Sequence, residues 1–131
     1  MLEHASFTAR FIVSRATSHQ LVRHRLMAIS QESQRYCNYN ADKFDKRITF
    51  IRPHNLVDTD VVPSPYQIWY QCMESCEKSY MQMIDMGMPA QIARECLPNS
   101  VKTELVVTAN LREWRHILAI RTAKGADDGI R

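Results

Sequence analysis

The densest run of chemistry-bearing side chains in this 131-residue chain is Arg23-His24-Arg25, followed by Ser30, Gln31, Ser33, Arg35 and Tyr36. Three arginines, an imidazole and several hydroxyls and amides fall within fourteen residues, countered only by Glu32. A guanidinium can fork onto a phosphate through charge-assisted bidentate bonds, while Gln and Ser read the polar edge of a ring. The same composition also fits a solvated basic loop. A second group lies further along: Asn110, Arg112, His116 and Arg121, separated by 2, 4 and 5 residues. At 3.6 residues per turn, Arg112 and His116 share a helix face, with Asn110 at its N-terminal end and Arg121 beyond them. Arginines on a surface helix are ordinary, so this spacing alone does not select between a site and a solvated face. Arg94, inside IARECLP, is a third candidate and equally a solvent-facing charge.

Cys72 and Cys76 fall four apart on an expected helix, which places both thiols on one face. No CxxC and no nearby His completes a metal set, so no metal is expected. Cys37, Cys72, Cys76 and Cys96 read instead as structural thiols that pack as small hydrophobes.

These candidates need elements to position them. ASFTARFIV, 5 to 13, alternates as a strand does, and Ser14 or Thr17 can cap a short helix ending near Arg23. RHRLMAISQESQRYCNYN is polar and irregular, which predicts a structured loop leading into an extended segment around Arg35 to Tyr39. RITFI, 47 to 51, reads as another strand, followed by a loop marked by Pro53, Pro63 and Pro65. A helix is expected from Tyr66 to Met86, stopped by Gly87, with Pro89 opening a second helix over Ala90 to Cys96. VKTELVVTA, 101 to 109, is β-branched and strand-like, and the last helix runs from about Asn110, its cap, to Lys124. The expected fold class is α+β in one domain over 1–131, an antiparallel sheet packed with helices.

Composition narrows the function. Only Gly87, Gly125 and Gly129 are glycines, and no window clusters them as a dinucleotide fingerprint or a P-loop requires. Any nucleotide must then be held by side chains. Twelve of the seventeen basic residues are arginines, balanced by fourteen acidic residues, which points to discrete anion sites more than to a nucleic-acid surface. No apolar run approaches the roughly 20 residues of a membrane span, and no signal-peptide core opens the chain, so a cytoplasmic setting is expected.

Arg23-His24-Arg25, seven intervening residues and Ser33 together resemble the signature of the flavin-dependent thymidylate synthases (the ThyX family). His19-Gln20-Leu21-Val22 before it and Ser33-Gln34-Arg35-Tyr36 at its close are similar to that family too. So are Ala93-Arg94 with Leu97-Pro98, then Asn110-Leu111-Arg112, His116 and Arg121, in order and spacing. The similarity covers nearly the whole chain.

The resemblance implies a ThyX-like fold and a reaction. A one-carbon unit passes from methylenetetrahydrofolate to carbon 5 of dUMP, with hydride from reduced FAD and NADPH as the usual reductant. It implies that Arg121 is catalytic, a cation beside the uracil ring. Gln20, Arg23, Gln31, Ser33, Gln34, Arg35, Arg94 and Arg121 would bind the substrate. Arg23, His24, Arg25, Gln31, Asn110, Arg112 and His116 would contact the flavin. Ser33 invites a nucleophile role, but serine needs an adjacent base, and the resemblance assigns the nearest imidazole, His24, to flavin. Substrate positioning is the more economical reading.

The chain departs from the family at Ala28, where Ser is usual, at Ser30, where Asn is frequent, and at Gly129, where Glu is expected. Asp127 and Asp128 stand where a polar–aromatic pair is common, while Gln31 takes a position held by Glu or Gln. The resemblance also implies a form shortened at both ends, a homotetramer with active sites shared between subunits, and no nucleic-acid or membrane partner. A non-catalytic nucleotide- or flavin-binding remnant of the same fold is the alternative.

Overall fold

The computed structural model describes residues 1–131. In chain order the elements are β1 (Ser6–Ser14), α1 (Arg15–Leu21), β2 (Met27–Gln31), α2 (Pro65–Asp85), α3 (Ala90–Ala93), β3 (Lys102–Asn110) and α4 (Leu111–Arg121). Single 3-10 turns occupy Asp42–Phe44 and Arg94–Cys96. The architecture is α+β and divides into two compact units, residues 1–32 with 103–131 and residues 33–102.

In the first unit the sheet order is β1-β3-β2, so β3 is central. β2 pairs antiparallel with β3, from Met27 opposite Ala109 to Gln31 opposite Leu105. On the other side Thr8 meets Thr108 and Arg10 meets Glu104, so partner numbers fall as β1 advances, as an antiparallel pair requires. β3 alternates strictly: Thr103, Leu105, Val107 and Ala109 are buried on one face. Leu105 and Val107 form a core with Leu21 of α1 and Ile117 of α4, joined by Phe11, Val13, Met27 and Trp114. The indole of Trp114 packs against Phe7 and Phe11 and donates to the Phe7 carbonyl at 3.0 Å. Burial of its ring thus costs no unmet polar group.

Both helices of this unit carry a side-chain cap. Ser14 accepts from the Thr17 N–H at 3.2 Å, and Asn110 accepts from the Glu113 N–H at 2.9 Å. Glu113 in the first turn of α4 and Arg121 in the last complement the helix dipole.

The second unit is built on α2. Ser64 and Gln67 exchange side-chain and backbone bonds in a capping box, with Pro65 at the first helical position. At the other end Met88 N–H reaches the Met83 carbonyl and Gly87 N–H the Ile84 carbonyl, a Schellman motif with Gly87 at φ +85°. The core here is Tyr39, Ile48, Tyr80, Ala93 and Val101. Tyr80 is wholly buried, and its hydroxyl accepts from the Tyr39 N–H at 3.2 Å.

Five sequence expectations are corrected. Residues 27–31, read as part of a loop, form β2, because β3 supplies a partner for a segment too polar to declare itself. Residues 35–39, read as extended, fall in two successive turns, in which the Tyr36 and Cys37 N–H groups reach the Ser33 carbonyl and the Ala41 N–H reaches the Asn38 carbonyl. RITFI makes only one bridge, Phe50 to Val101, and no strand. The second short helix is helical only to Ala93 and tightens to 3-10 geometry over Arg94–Cys96. The last helix stops at Arg121, not Lys124, with the Thr122 hydroxyl returned to the Leu118 carbonyl. All four cysteines are free thiols, and burial pushes those of Cys76 and Cys96 up. No helix is long and apolar enough to cross a membrane.

Candidate functional site

α1 ends at Leu21, and the next residues close a tight turn in which the Arg23 and His24 N–H groups return to the Gln20 and Leu21 carbonyls. This turn leaves Arg23 and Arg25 exposed and directs His24, the residue between them, into the protein, where it is 8% exposed. A basic tripeptide is thereby sorted into two outward cations and one inward imidazole.

His24 meets the last turn of α4. Arg121 donates from Nε to Nε2 of His24 at 3.0 Å, from Nη1 to the Gln20 side-chain oxygen at 3.3 Å, and from Nη2 to the Gln20 carbonyl at 2.6 Å. Three of the five guanidinium N–H groups are thus engaged, and two remain for a ligand. On its other side His24 places Nδ1 3.8 Å from the carboxylate of Glu113, which is itself 6% exposed. The ring of His116 stands edge-on to His24 with centroids 5.9 Å apart. Burial first, then the charge of Arg121, hold the His24 imidazole below its ordinary range, His116 adding to this and Glu113 opposing it. His24 is therefore neutral, as an acceptor for Arg121 must be.

Gln31, at the end of β2, forms a second polar cluster. Its amide nitrogen donates to Ser18 Oγ at 3.1 Å and to Thr103 Oγ1 at 3.2 Å. Ser18 spends its own proton on the Arg15 carbonyl at 2.9 Å, so it can only accept from Gln31. Both amide protons of Gln31 are occupied, which leaves its carbonyl oxygen for an outside donor.

The remaining candidates fall as follows. Asn110 spends its side-chain oxygen on the α4 cap, and exposed Arg112 pairs through Nε with Glu3, whose carboxyl the guanidinium holds below its ordinary range. Ser33, Gln34, Arg35 and Arg94 belong to the second unit. Ser33 Oγ accepts from the Arg35 N–H at 3.3 Å, the Arg35 guanidinium lies over the Tyr36 ring at 5.2 Å, and Arg94 pairs with Glu95 at 3.4 Å. The second unit also has a cleft of about 610 Å³ whose lining includes Ile48, Phe50, Tyr66, Trp69, Tyr70 and Met73, and which none of the sequence candidates borders. No group of three or more His, Cys, Asp or Glu side chains is arranged to hold a metal.

Structure therefore brings Gln20, His24, His116 and Arg121 together and adds Glu113, which sequence reasoning passed over. The signal available for Glu113 was its place three residues after the Asn110 cap, which marks a helix start and says nothing of a buried partner. Ser18 and Thr103, the supports of Gln31, carried no signal.

The sequence profile of a family described as thymidylate synthase complementing protein matches residues 1–131. The chain is 39% identical to the flavin-dependent thymidylate synthase of Geobacter sulfurreducens over 132 residues, which cover all of this chain and 54% of that protein. The protein of the same description from Pyrococcus abyssi is 36% identical over all of this chain and 52% of its own length. That from Mycobacterium avium is 34% identical over all of this chain and 55% of its own. The chain spans about half the length of the curated relatives it matches.

Proposed function

The chain belongs to the thymidylate synthase complementing family, the flavin-dependent thymidylate synthases, and on that premise we propose that it methylates dUMP at carbon 5. Methylenetetrahydrofolate is the carbon donor, FAD the cofactor and NADPH the reductant in this reading, within a cytoplasmic homotetramer whose active sites are shared between subunits. The observation that supports it most is the fixation of Arg121 from two directions, by His24 and by Gln20, with two N–H groups left over.

Carbon 5 of uracil attacks an electrophile only when electron density is pushed through the ring onto it, as in the anionic form whose charge is shared with the N3–O4 edge. A cation held at that edge stabilises the anionic form, and it does so best when its direction is set beforehand. Arg121 has that preorganisation. The carbonyl oxygen of Gln31 is the complementary group, an acceptor suited to a ring N–H. Arg23, Arg35 and Arg94 are assigned to the phosphate and sugar with Gln20, Ser33 and Gln34, in keeping with the forked geometry of guanidinium on phosphate.

The donor set also suits a flavin dinucleotide. Exposed Arg23 and Arg25 flank the inward His24 on one tight turn and offer two forks for a pyrophosphate. His116, Gln31, the free amide protons of Asn110 and Arg112 would hold the remainder, with Arg112 exchanging Glu3 for the ligand. When bound, reduced FAD supplies the hydride that completes the methyl group.

Flavin content and turnover test this reading. Oxidised-flavin absorbance after purification or on FAD addition, with dUMP-dependent NADPH oxidation, is expected, and Arg121→Ala should abolish turnover while flavin stays bound. Flavin uptake without turnover would leave the non-catalytic binding module as the reading. A chain that takes up no flavin and oxidises no NADPH overturns both.

A further inference from the structure

We propose that Glu113 is a positioning residue for Arg121 and acts through His24: its buried carboxylate keeps His24 in the Nδ1–H tautomer, whose Nε2 lone pair fixes the Arg121 Nε–H. The inference rests on the proposed role of Arg121 as the cation that meets the substrate ring.

The donors dictate the protonation pattern. Arginine Nε is always a donor, so the His24 Nε2 that receives it at 3.0 Å must carry a lone pair. A neutral imidazole then has its single proton on Nδ1, the atom that faces Glu113 Oε1 at 3.8 Å. That separation exceeds a direct hydrogen bond, but between two groups 8% and 6% exposed the Coulomb preference for N–H over a lone pair beside a carboxylate is strong. Without the negative charge the Nε2–H tautomer becomes accessible, and it sets N–H against N–H at Arg121.

Glu113 and Arg121 are eight residues apart on α4, roughly 12 Å along its axis, too far for direct pairing. His24 spans the gap from the turn after α1. Glu113 is in turn held by its backbone N–H on the Asn110 cap at 2.9 Å. The groups facing His24 are Glu113, His116 and Arg121 of α4, and Gln20 of α1 holds the same guanidinium. Their opposed effects on the imidazole proton are those expected of one contiguous cluster.

The test uses the isosteric variant Glu113→Gln in the full chain with ¹⁵N-labelled histidine. Long-range ¹H–¹⁵N correlation reads the His24 tautomer, assigned by the loss of its signals in His24→Gln. Wild type is expected as Nδ1–H, with Nε2–H appearing in Glu113→Gln. In the same variant kcat should fall about tenfold with the dUMP KM within about twofold, since misdirection of a catalytic cation acts in the transition state. Glu113→Asp, which keeps the charge, should recover most of kcat. Wild-type His24 as Nε2–H, an unchanged tautomer in Glu113→Gln, or a tautomer shift without loss of kcat each overturns the inference. If wild type shows no turnover, the proposed function fails by itself, and the Arg121 Nε–H then decides this point. Its slow exchange in wild type and fast exchange in Glu113→Gln support the relay, and equal exchange overturns it.

Discussion

Gln31 donates to Thr103 at 3.2 Å across the β2–β3 pair, and the hydroxyl it reaches is 1% exposed. The same amide serves Ser18, which is 0% exposed, so one side chain completes two buried hydroxyls from different elements. Gln31→Leu keeps the volume and removes both donors. It should cost about 1–3 kcal/mol through the unmet hydroxyls and weaken dUMP binding through loss of the carbonyl acceptor. Urea unfolding and calorimetric titration of dUMP measure the two effects. Unchanged stability with weakened binding would mean that the hydroxyls find other partners.

Acid should weaken the Arg121–His24 contact. Burial holds the His24 imidazole below its ordinary range, so between its folded value and the ordinary value near 6.5 the unfolded chain binds more protons. The contribution to stability is therefore complete above about pH 6.5 and is lost as pH falls through the folded value. The expected result is a Tm that drops between pH 7.5 and 5.5, with a smaller drop in His24→Gln, whose amide oxygen accepts from Arg121 without titrating. Parallel thermal melts at the two pH values check this, and equal drops in both proteins refute it.

The parts legible in the sequence were those with strong local signals. β1 and β3 alternate, α2 has an unbroken helical pattern from Tyr66 stopped by Gly87, and Asn110 caps α4, whereas the Ser64 cap and the helical place of Pro65, read as loop, come from the structure. β2 was not legible, because an edge strand of Met, Ala, Ile, Ser and Gln lacks apolar contrast and is defined by a partner some 75 residues on. RITFI has the contrast and no ladder beyond Phe50 opposite Val101, so its propensity goes unused. In the site, residue clustering nominated His24 and Arg121, and the family resemblance added Gln20. That His24 turns inward while Arg23 and Arg25 turn out is a property of the turn after α1, and Glu113 matters only because that turn brings His24 to it.

Asn110 holds two roles that one substitution can separate. Its side-chain oxygen caps α4 through the Glu113 N–H, and its amide protons are the groups assigned to flavin. Asn110→Ala should cost about 1 kcal/mol and lower Tm by roughly 4 °C. Asn110→Asp keeps a capping oxygen with a charge that suits the helix N-terminus, so Tm should hold, while flavin affinity falls for want of a donor. Circular dichroism melts and FAD titration followed by flavin fluorescence report the two properties. Unchanged FAD affinity in Asn110→Asp would confine Asn110 to the cap.

Tyr80 should set an alkaline limit on the second unit. Its ring is wholly buried against Tyr39 at 5.6 Å, and its hydroxyl accepts from the Tyr39 N–H and donates toward the Cys37 carbonyl. Burial raises its phenol above the ordinary value near 10, so above that pH the unfolded chain releases a proton that the folded chain retains. Stability is then complete below about pH 10 and lost as pH rises past it. Tyr80→Phe removes the titrating group and the buried hydroxyl that accepts from the Tyr39 N–H, at a cost of about 1–2 kcal/mol at neutral pH. The variant should melt earlier than wild type at pH 7.5 and lose less of its Tm between pH 9.5 and 11. Phenylalanine matching the wild-type decline over that alkaline range would place the limit elsewhere than at Tyr80.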